Sequence, residues 1–259
     1  MVIRKAGVFA VALLTIFSVL VMTPQPASAT QLHAPFSASN GMSGNYHVID
    51  DHVDYSRPVG LIVQLHGDGA GEFQNYPNGH GKLTQIQPVA QRHNMVLLSA
   101  RTPSFEEGDH TWWAGNGTAK SDYLAELINV VAYGNYPVDR SRVWFSGYSG
   151  GAEQLTYHFL SRHLGLVSGG GALMTGGGGA RGLLNSPLQT RPNFRLHWLT
   201  GTDDRTASFC GTCAAATGIA HYVPQGFIRS TIDVRQGYDH YELQGLEAGV
   251  LDQLISGAI

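Results

Sequence analysis

The sequence predicts an α/β fold: a mostly parallel central sheet with helices on both faces. Three observations carry that expectation. Apolar, β-branched runs of strand length recur along the chain, helical patterns fill several of the gaps, and the chemistry-bearing segments each follow one of the runs. Near-continuous apolar strands are those buried on both faces, and alternation with helices is the pattern of a parallel sheet. Ligands of such sheets sit beyond the carboxyl ends of the strands.

The candidate strands are Gly44–Val53, Gly60–Leu65, Met95–Ser99, Arg142–Ser146, Val167–Met174, Arg195–Leu199 and Ser230–Arg235. Helical stretches are Lys82–His93, Ser121–Tyr133, Ala152–Leu166 and Leu243–Ser256. Residues 1–29 read as a secretory signal: basic Arg4 and Lys5, an uncharged apolar core from Ala6 to Met22, and the small-residue cleavage site Pro26-Ala27-Ser28-Ala29. The competing interpretation is an uncleaved anchor, since the apolar stretch approaches spanning length; the well-placed cleavage site favours the signal. No cysteine near that site offers a lipid attachment point. Cleavage near Ala29 would export residues 30–259, without stable membrane insertion, as a single catalytic domain of 230 residues.

Removing Arg4 and Lys5 from the 16 basic residues leaves 14 against 19 acidic ones, a net charge of −5. Lys82 and Lys120 are the lysines that remain, and no basic cluster forms, which argues against a nucleic-acid or anionic-membrane partner. The sequence shows no internal repeat.

The sharpest motif is Gly147-Tyr148-Ser149-Gly150-Gly151, directly after the apolar Val143-Trp144-Phe145. A strand running into Gly-x-Ser-x-Gly and then a helix is the form of a nucleophile elbow, with the serine on a strained turn at a helix N-terminus. Ser149 is therefore the candidate nucleophile of a serine hydrolase. It needs a base, and the base needs a carboxylate to fix its tautomer. Elbow folds run in the chain order serine, acid, histidine. Downstream, His158 and His163 fall on the elbow helix and His197 inside a strand; His221 is placed in a loop. His240 ends a loop between the last strand and the last helix and is preferred. Among the carboxylates, Glu153 belongs to the elbow helix, Asp233 to a strand, and Asp239 adjoins the histidine. Asp203 and Asp204 remain, just past Gly201-Thr202, and spacing favours Asp204. The oxyanion donors expected are the N–H of Gly150 and that of Asp68 or Gly69, in the glycine-rich loop Leu65-His66-Gly67-Asp68-Gly69-Ala70-Gly71.

With these motifs the chain resembles the secreted α/β-hydrolase esterases grouped with polyhydroxybutyrate depolymerases and feruloyl esterases. The resemblance rests on LIVQLHGDGAG from Leu61, on Trp112-Trp113 ahead of Ser121-Asp122, and on Tyr136-Pro137-Val138-Asp139-Arg140-Ser141-Arg142-Val143 leading into FSGYSGG. It covers about Leu61 to Ala152 and returns in the acid and histidine loops. It implies an α/β-hydrolase fold and ester hydrolysis without a cofactor. One departure is Asp68, where that group often carries a cysteine after the His-Gly pair.

Trp112 and Trp113 offer apolar area with a polar N–H and are candidate substrate contacts, with Asp109 and His110 before them and with His66 and Tyr148 beside the loops. Cys210 and Cys213 are the only cysteines; in an exported chain they suggest a disulfide that steadies the acid-bearing loop. The histidines form no H-E-x-x-H, so no metal is expected. Gly176–Gly179 reads as a flexible loop at the cleft rim, and Asn116-Gly117-Thr118 as a weak glycosylation sequon. The short interval between Thr175 and Arg195 leaves no room for an amphipathic helical pair, so little or no lid is expected and the site suits bulky or polymeric esters. An acyltransferase with the same triad, passing the acyl group to a carbohydrate, is the main alternative; a catalytically inert binding module is the second.

Overall fold

The computed structural model describes residues 30–77, 82–103, 110–180, 187–205 and 210–259. The signal segment and Asp109 lie outside the described residues. Eight strands form one sheet: β1 Gln31–Ser37, β2 Ser43–Ile49, β3 Val59–Leu65, β4 Met95–Ala100, β5 Val138–Tyr148, β6 Gly170–Thr175, β7 Phe194–Gly201 and β8 Ser230–Arg235. Their order is β1-β2-β4-β3-β5-β6-β7-β8. β1 and β2 pair antiparallel, as do β2 and β4; every later pairing is parallel. The register of β3 sets Leu65 beside both Ala100 and Gly147, so the carboxyl ends of the parallel strands finish together.

The period-2 alternation of strands explains the core. Leu61, Val63 and Leu65 of β3 join one apolar cluster with Phe145, Leu124, Leu155 and Phe159. Ile62 turns to the other face and packs with Leu83, Ile86, Trp144 and Leu251. The first cluster is covered by α3 (Gly117–Leu127) and by the elbow helix, and the second by α2 (Lys82–Arg92) and α7 (Glu247–Ser256). The short α1 (Gly71–Gln74) follows the glycine-rich loop. The elbow helix begins as α4 (Gly150–Gln154), passes through a π-helical stretch at Leu155–Phe159 and closes with α5 (Leu160–His163) and a 3₁₀ turn.

Three differences from the sequence expectation have physical reasons. The edge strand β1 is polar and exposed, with a histidine at positive φ and a register shift, so it lacks the apolar run that marks a buried strand. α6 (Gly211–Tyr222) is a helix where a loop was expected; its Gly- and Ala-rich sequence hides the period, and it places His221 in its last turn. α3 begins before Ser121 because the Asn116 side chain caps it, accepting from the Ala119 N–H at 3.0 Å. Among the described residues, no helix is long and apolar enough to cross a membrane. Between β6 and β7 they add only a 3₁₀ turn at Arg191–Asn193.

Candidate active site

Ser149 sits immediately after β5 with φ 49° and ψ −117°, a conformation that side chains rarely adopt. Such strain costs on the order of 1–3 kcal/mol and persists only where neighbours over-determine it. Here the Ser149 N–H donates to the Thr175 carbonyl at the end of β6, and its carbonyl accepts from Glu153 N at 3.1 Å. The elbow lies so close to β3 that a Cβ on Gly151 would come within 2.5 Å of the Leu65 carbonyl oxygen. Glycine there is a packing requirement, and it fixes the nucleophile candidate over the sheet edge.

The exits of β7 and β8 bring the acid and the histidine together. His240 Nδ1 lies 2.8 Å from Asp204 Oδ1. Because a carboxylate only accepts, Nδ1 carries the proton, and Nε2 is left as the basic nitrogen. Asp204 is fully buried, whereas Asp203 is exposed and accepts from the Thr202 hydroxyl. The two loops are stitched by Asp203 N–H to the Tyr238 carbonyl and by Gly237 N–H to the Thr202 hydroxyl. Asp239 instead accepts from the N–H groups of Tyr241 and Glu242.

Gly176, at φ +60°, packs against the His240 ring and the Asp204 carboxylate. The run Gly176–Gly179 is thus not a flexible rim. It is buried, and Gly178 is gripped twice: its N–H donates to Glu153 Oε1 and its carbonyl accepts from Trp198 Nε1. Glu153, discarded as a triad acid, is the residue that holds this floor. Gly211, at the start of α6, likewise packs on Asp204: its N–H donates to the Asp204 carbonyl, and a Cβ there would collide with Asp204 Oδ2. The Cys210–Cys213 disulfide clasps the same helix start, and Cys210 Sγ accepts from Cys213 N. Sequence reading noticed the run that holds Gly176 but took it for a flexible rim, and Gly211 carries no motif.

The glycine-rich loop after β3 is shaped by a histidine that sequence reading took for a substrate contact. His66 has no exposed surface. Its Nδ1 faces the Gly67 carbonyl at 2.6 Å and its Nε2 accepts from Thr102 N at 3.0 Å, which fixes one neutral tautomer. Burial holds its pKa far down, at about 3, against the opposing Gly67 hydrogen bond. His66 therefore braces the loop and does not line the cleft. Trp112 is also fully buried, tilted against the His66 ring, and is corrected in the same way. Tyr148 is corrected too: it is 4% exposed, its ring rests on Gly67 and His240, and its hydroxyl donates to the His240 carbonyl. Burial raises its phenol pKa.

Trp113, by contrast, is 54% exposed. Its Nε1 donates to both oxygens of Asp68, at 3.0 and 2.9 Å. The Asp68 carboxylate and the Trp113 ring close over Gly150, where an added Cβ would lie 2.3 Å from Asp68 Oδ1 and 3.0 Å from the indole. The loop carrying both tryptophans is pinned from below by Lys120, whose buried ammonium donates to the carbonyls of Thr111 and Ala114. A cleft of about 230 Å³ opens beside this pair, lined by Trp113, Glu153, Tyr157 and His158. Burial raises the Glu153 pKa, the Gly178 and Gly179 N–H groups oppose that rise, and the Asp68 charge adds to it.

No protein-family model and no curated protein matches the chain. Solved structures do. A thermostable esterase superposes with a TM-score of 0.63 at 16% identity, covering 86% of this chain; the chain spans only 61% of that protein's length. A poly(3-hydroxybutyrate) depolymerase from Bordetella parapertussis gives 0.58 at 13% identity, with 89% of this chain and 91% of that one covered. A lidless α/β serine hydrolase from Xanthomonas campestris gives 0.52 at 13% identity, covering 90% and 95%. With the strand order above, these likenesses establish the α/β-hydrolase fold.

Proposed function

We propose that the protein is a serine carboxylic-ester hydrolase in which Ser149, His240 and Asp204 form the triad. The observation that carries this reading is the Asp204–His240 hydrogen bond at 2.8 Å, at the same sheet edge where Ser149 is held at positive φ. His240 Nε2 takes the Ser149 proton as Oγ attacks the ester carbonyl. The N–H groups of Gly150 and of Asp68 or Gly69 stabilise the oxyanion, each worth about 3 kcal/mol. The imidazolium then protonates the leaving alcohol, and water, deprotonated by His240, hydrolyses the acyl-enzyme. The chemistry requires no metal or cofactor. Export after cleavage near Ala29, with residues 30–259 as one catalytic domain, belongs to the same proposal and is supported by the signal-like first 29 residues. The short β6–β7 connection supports bulky or polymeric ester substrates.

The test compares residues 30–259 with the Ser149→Ala variant on p-nitrophenyl esters from acetate to palmitate. Turnover by the wild type alone, with labelling of Ser149 by a fluorophosphonate, is the expected result. Equal inertness of both proteins and no labelling would sink the reading.

A further inference from the structure

We propose that the cavity at the amino ends of β6, β7 and β8 binds a small dianionic oxyanion of the phosphate type, held between the Arg195 and Arg229 guanidiniums. This site is separate from the candidate active site and does not depend on the ester-hydrolase reading.

Its placement follows from the sheet. β7 and β8 run parallel with Leu196 beside Ser230, and the Leu196 N–H donates to the Arg229 carbonyl. Arg195 and Arg229 are thereby brought next to each other on adjacent chain segments, while the sequence, where they lie far apart, shows no basic cluster. Both line a cavity of about 530 Å³ whose walls include Gly170, at the start of β6, and Leu254 and Ile255 of α7. Ser149 follows the opposite ends of the strands. The span of β5 from Arg142, on the cavity wall, to Tyr148 is about 20 Å at about 3.3 Å per residue.

Like charges opposed on neighbouring strands repel, and no described residue neutralises this pair. Neither guanidinium makes a hydrogen bond or an ion pair with a described residue, and Arg195 Nε is buried without a partner. Burial and the Arg229 charge both lower the Arg195 pKa. The carboxylates of the neighbouring elements are engaged elsewhere. Asp252 accepts from Arg92 and His93, Asp233 from Arg235, and Asp139 from Ser141 while it sits beside Arg142. The last turn of α7 closes on itself, with the Leu254 carbonyl accepting from Gly257 N–H and that of Gln253 from Ala258 N–H. No Asp or Glu is among the described lining residues.

A guanidinium presents a planar fork of N–H donors that matches two oxygens of a phosphate. Two forks on one anion balance two charges, which a single carboxylate cannot do. The cavity is also roomier than the ion, within the roughly 300–1,000 Å³ range of small-molecule sites. A Cβ on Gly171 would lie 2.7 Å from Trp144 Cζ3 and 3.0 Å from Arg195 Cβ, so the indole and the arginine stem meet over that glycine. Trp144, Leu254 and Ile255 give the organic group of a phosphate ester an apolar wall; inorganic phosphate would use the arginines alone.

The experiment is titration calorimetry on residues 30–259 at about pH 8, where phosphate is a dianion, with ionic strength held constant by chloride. The probes are inorganic phosphate, phenyl phosphate and benzoate. The proteins are wild type, Arg229→Gln and Arg195→Met, the last of which keeps an apolar stem. The wild type is expected to bind phenyl phosphate at least about tenfold more tightly than benzoate, and each variant to lose at least about tenfold of that affinity. Ester hydrolysis by both variants should stay within about twofold of wild type. Phenyl phosphate tighter than inorganic phosphate identifies an organic phosphate ester as the ligand; equal affinities identify the free ion. No binding of either phosphate by the wild type overturns the proposal, whether or not the variants fold. Binding that both variants retain, or benzoate as tight as phenyl phosphate, overturns it too. Because heat of binding is the readout, a protein inert toward esters would leave these outcomes intact.

Discussion

Two histidines stand at the same edge of the sheet, each past a parallel strand, in opposite surroundings. His66, after β3, is sealed in: no exposed surface, a backbone partner on each ring nitrogen, and a pKa near 3. His240, after β8, keeps 21% of its side chain exposed and turns Nδ1 to a buried carboxylate. Residue type and position along the fold are shared; the surroundings are not. A ring bonded by backbone on both sides cannot change protonation state without breaking the loop it braces. A ring whose one nitrogen is oriented by a carboxylate can gain and lose a proton at the other.

The largest effect that tests this contrast lies at the acid. Asp204→Asn should lower kcat on the order of 10⁴-fold, since the amide no longer selects the tautomer with a basic Nε2. Asp203→Asn, one residue away and exposed, should change kcat by less than about twofold. Steady-state kinetics on a p-nitrophenyl ester distinguish them, and equal losses would break the assignment of Asp204. His66→Gln is expected to behave differently from either. Losing one of its two buried hydrogen bonds should cost about 3 kcal/mol in a urea titration. With the proposed oxyanion donor on the loop that His66 braces, its loosening should lower kcat by roughly tenfold, with KM little changed. A raised KM at full stability would return His66 to the cleft as a substrate contact.

The same contrast shows how far the sequence could be read. The parallel strands and the elbow were legible because a buried strand needs a continuous apolar run, and a tight strand–helix turn needs glycine at both flanks. Elimination narrowed the candidate acid to Asp203 or Asp204, since Glu153 and Asp233 fell in a helix and a strand and Asp239 adjoined the histidine, and spacing then favoured Asp204, the one that bonds His240. His66, Trp112 and Tyr148 misled because sequence fixes that a residue leaves a strand end but not which way its side chain turns. Asp68 and Trp113 were each visible, yet their hydrogen bond joins residues 45 apart and could not be read from either motif. Glu153 and Lys120 act by holding loop backbone, at Gly178 and at Thr111 and Ala114, and loop carbonyls and N–H groups leave no trace in residue type.

A smaller effect extends the contrast to stability. His47 and His197 are buried like His66, and burial lowers both to about 4 from 6.5. Their folded pKa lies below the unfolded one, so folding favours the neutral ring. The stability they contribute is present above pH 6.5 and is lost as pH falls from there toward 4. Between pH 7 and pH 5 each should cost about 2 kcal/mol. Urea midpoints measured at both values should fall for the wild type and fall less for His197→Gln. A wild-type midpoint independent of pH would show that these rings are not held neutral.

The smallest expected effect concerns how the acid loop is braced. The glycine-rich loop after β3 is held by the interior, through His66; the acid loop is held partly by a covalent clasp, with the Cys210–Cys213 disulfide at the helix start that presents Gly211 to Asp204. Closing so short a loop removes little chain entropy, so Cys210→Ser with Cys213→Ser should lower stability by at most about 2 kcal/mol. The loss of kcat should be smaller than for His66→Gln, because Gly211 also bonds the Asp204 carbonyl through its own backbone and Asp204 stays buried beneath it. Calorimetry and ester kinetics on the double variant, beside wild type with and without reductant, measure both quantities. If kcat falls further than in His66→Gln while the melting temperature holds, the clasp sets the aim of Asp204 on His240, and the acid loop is the more delicately positioned of the two.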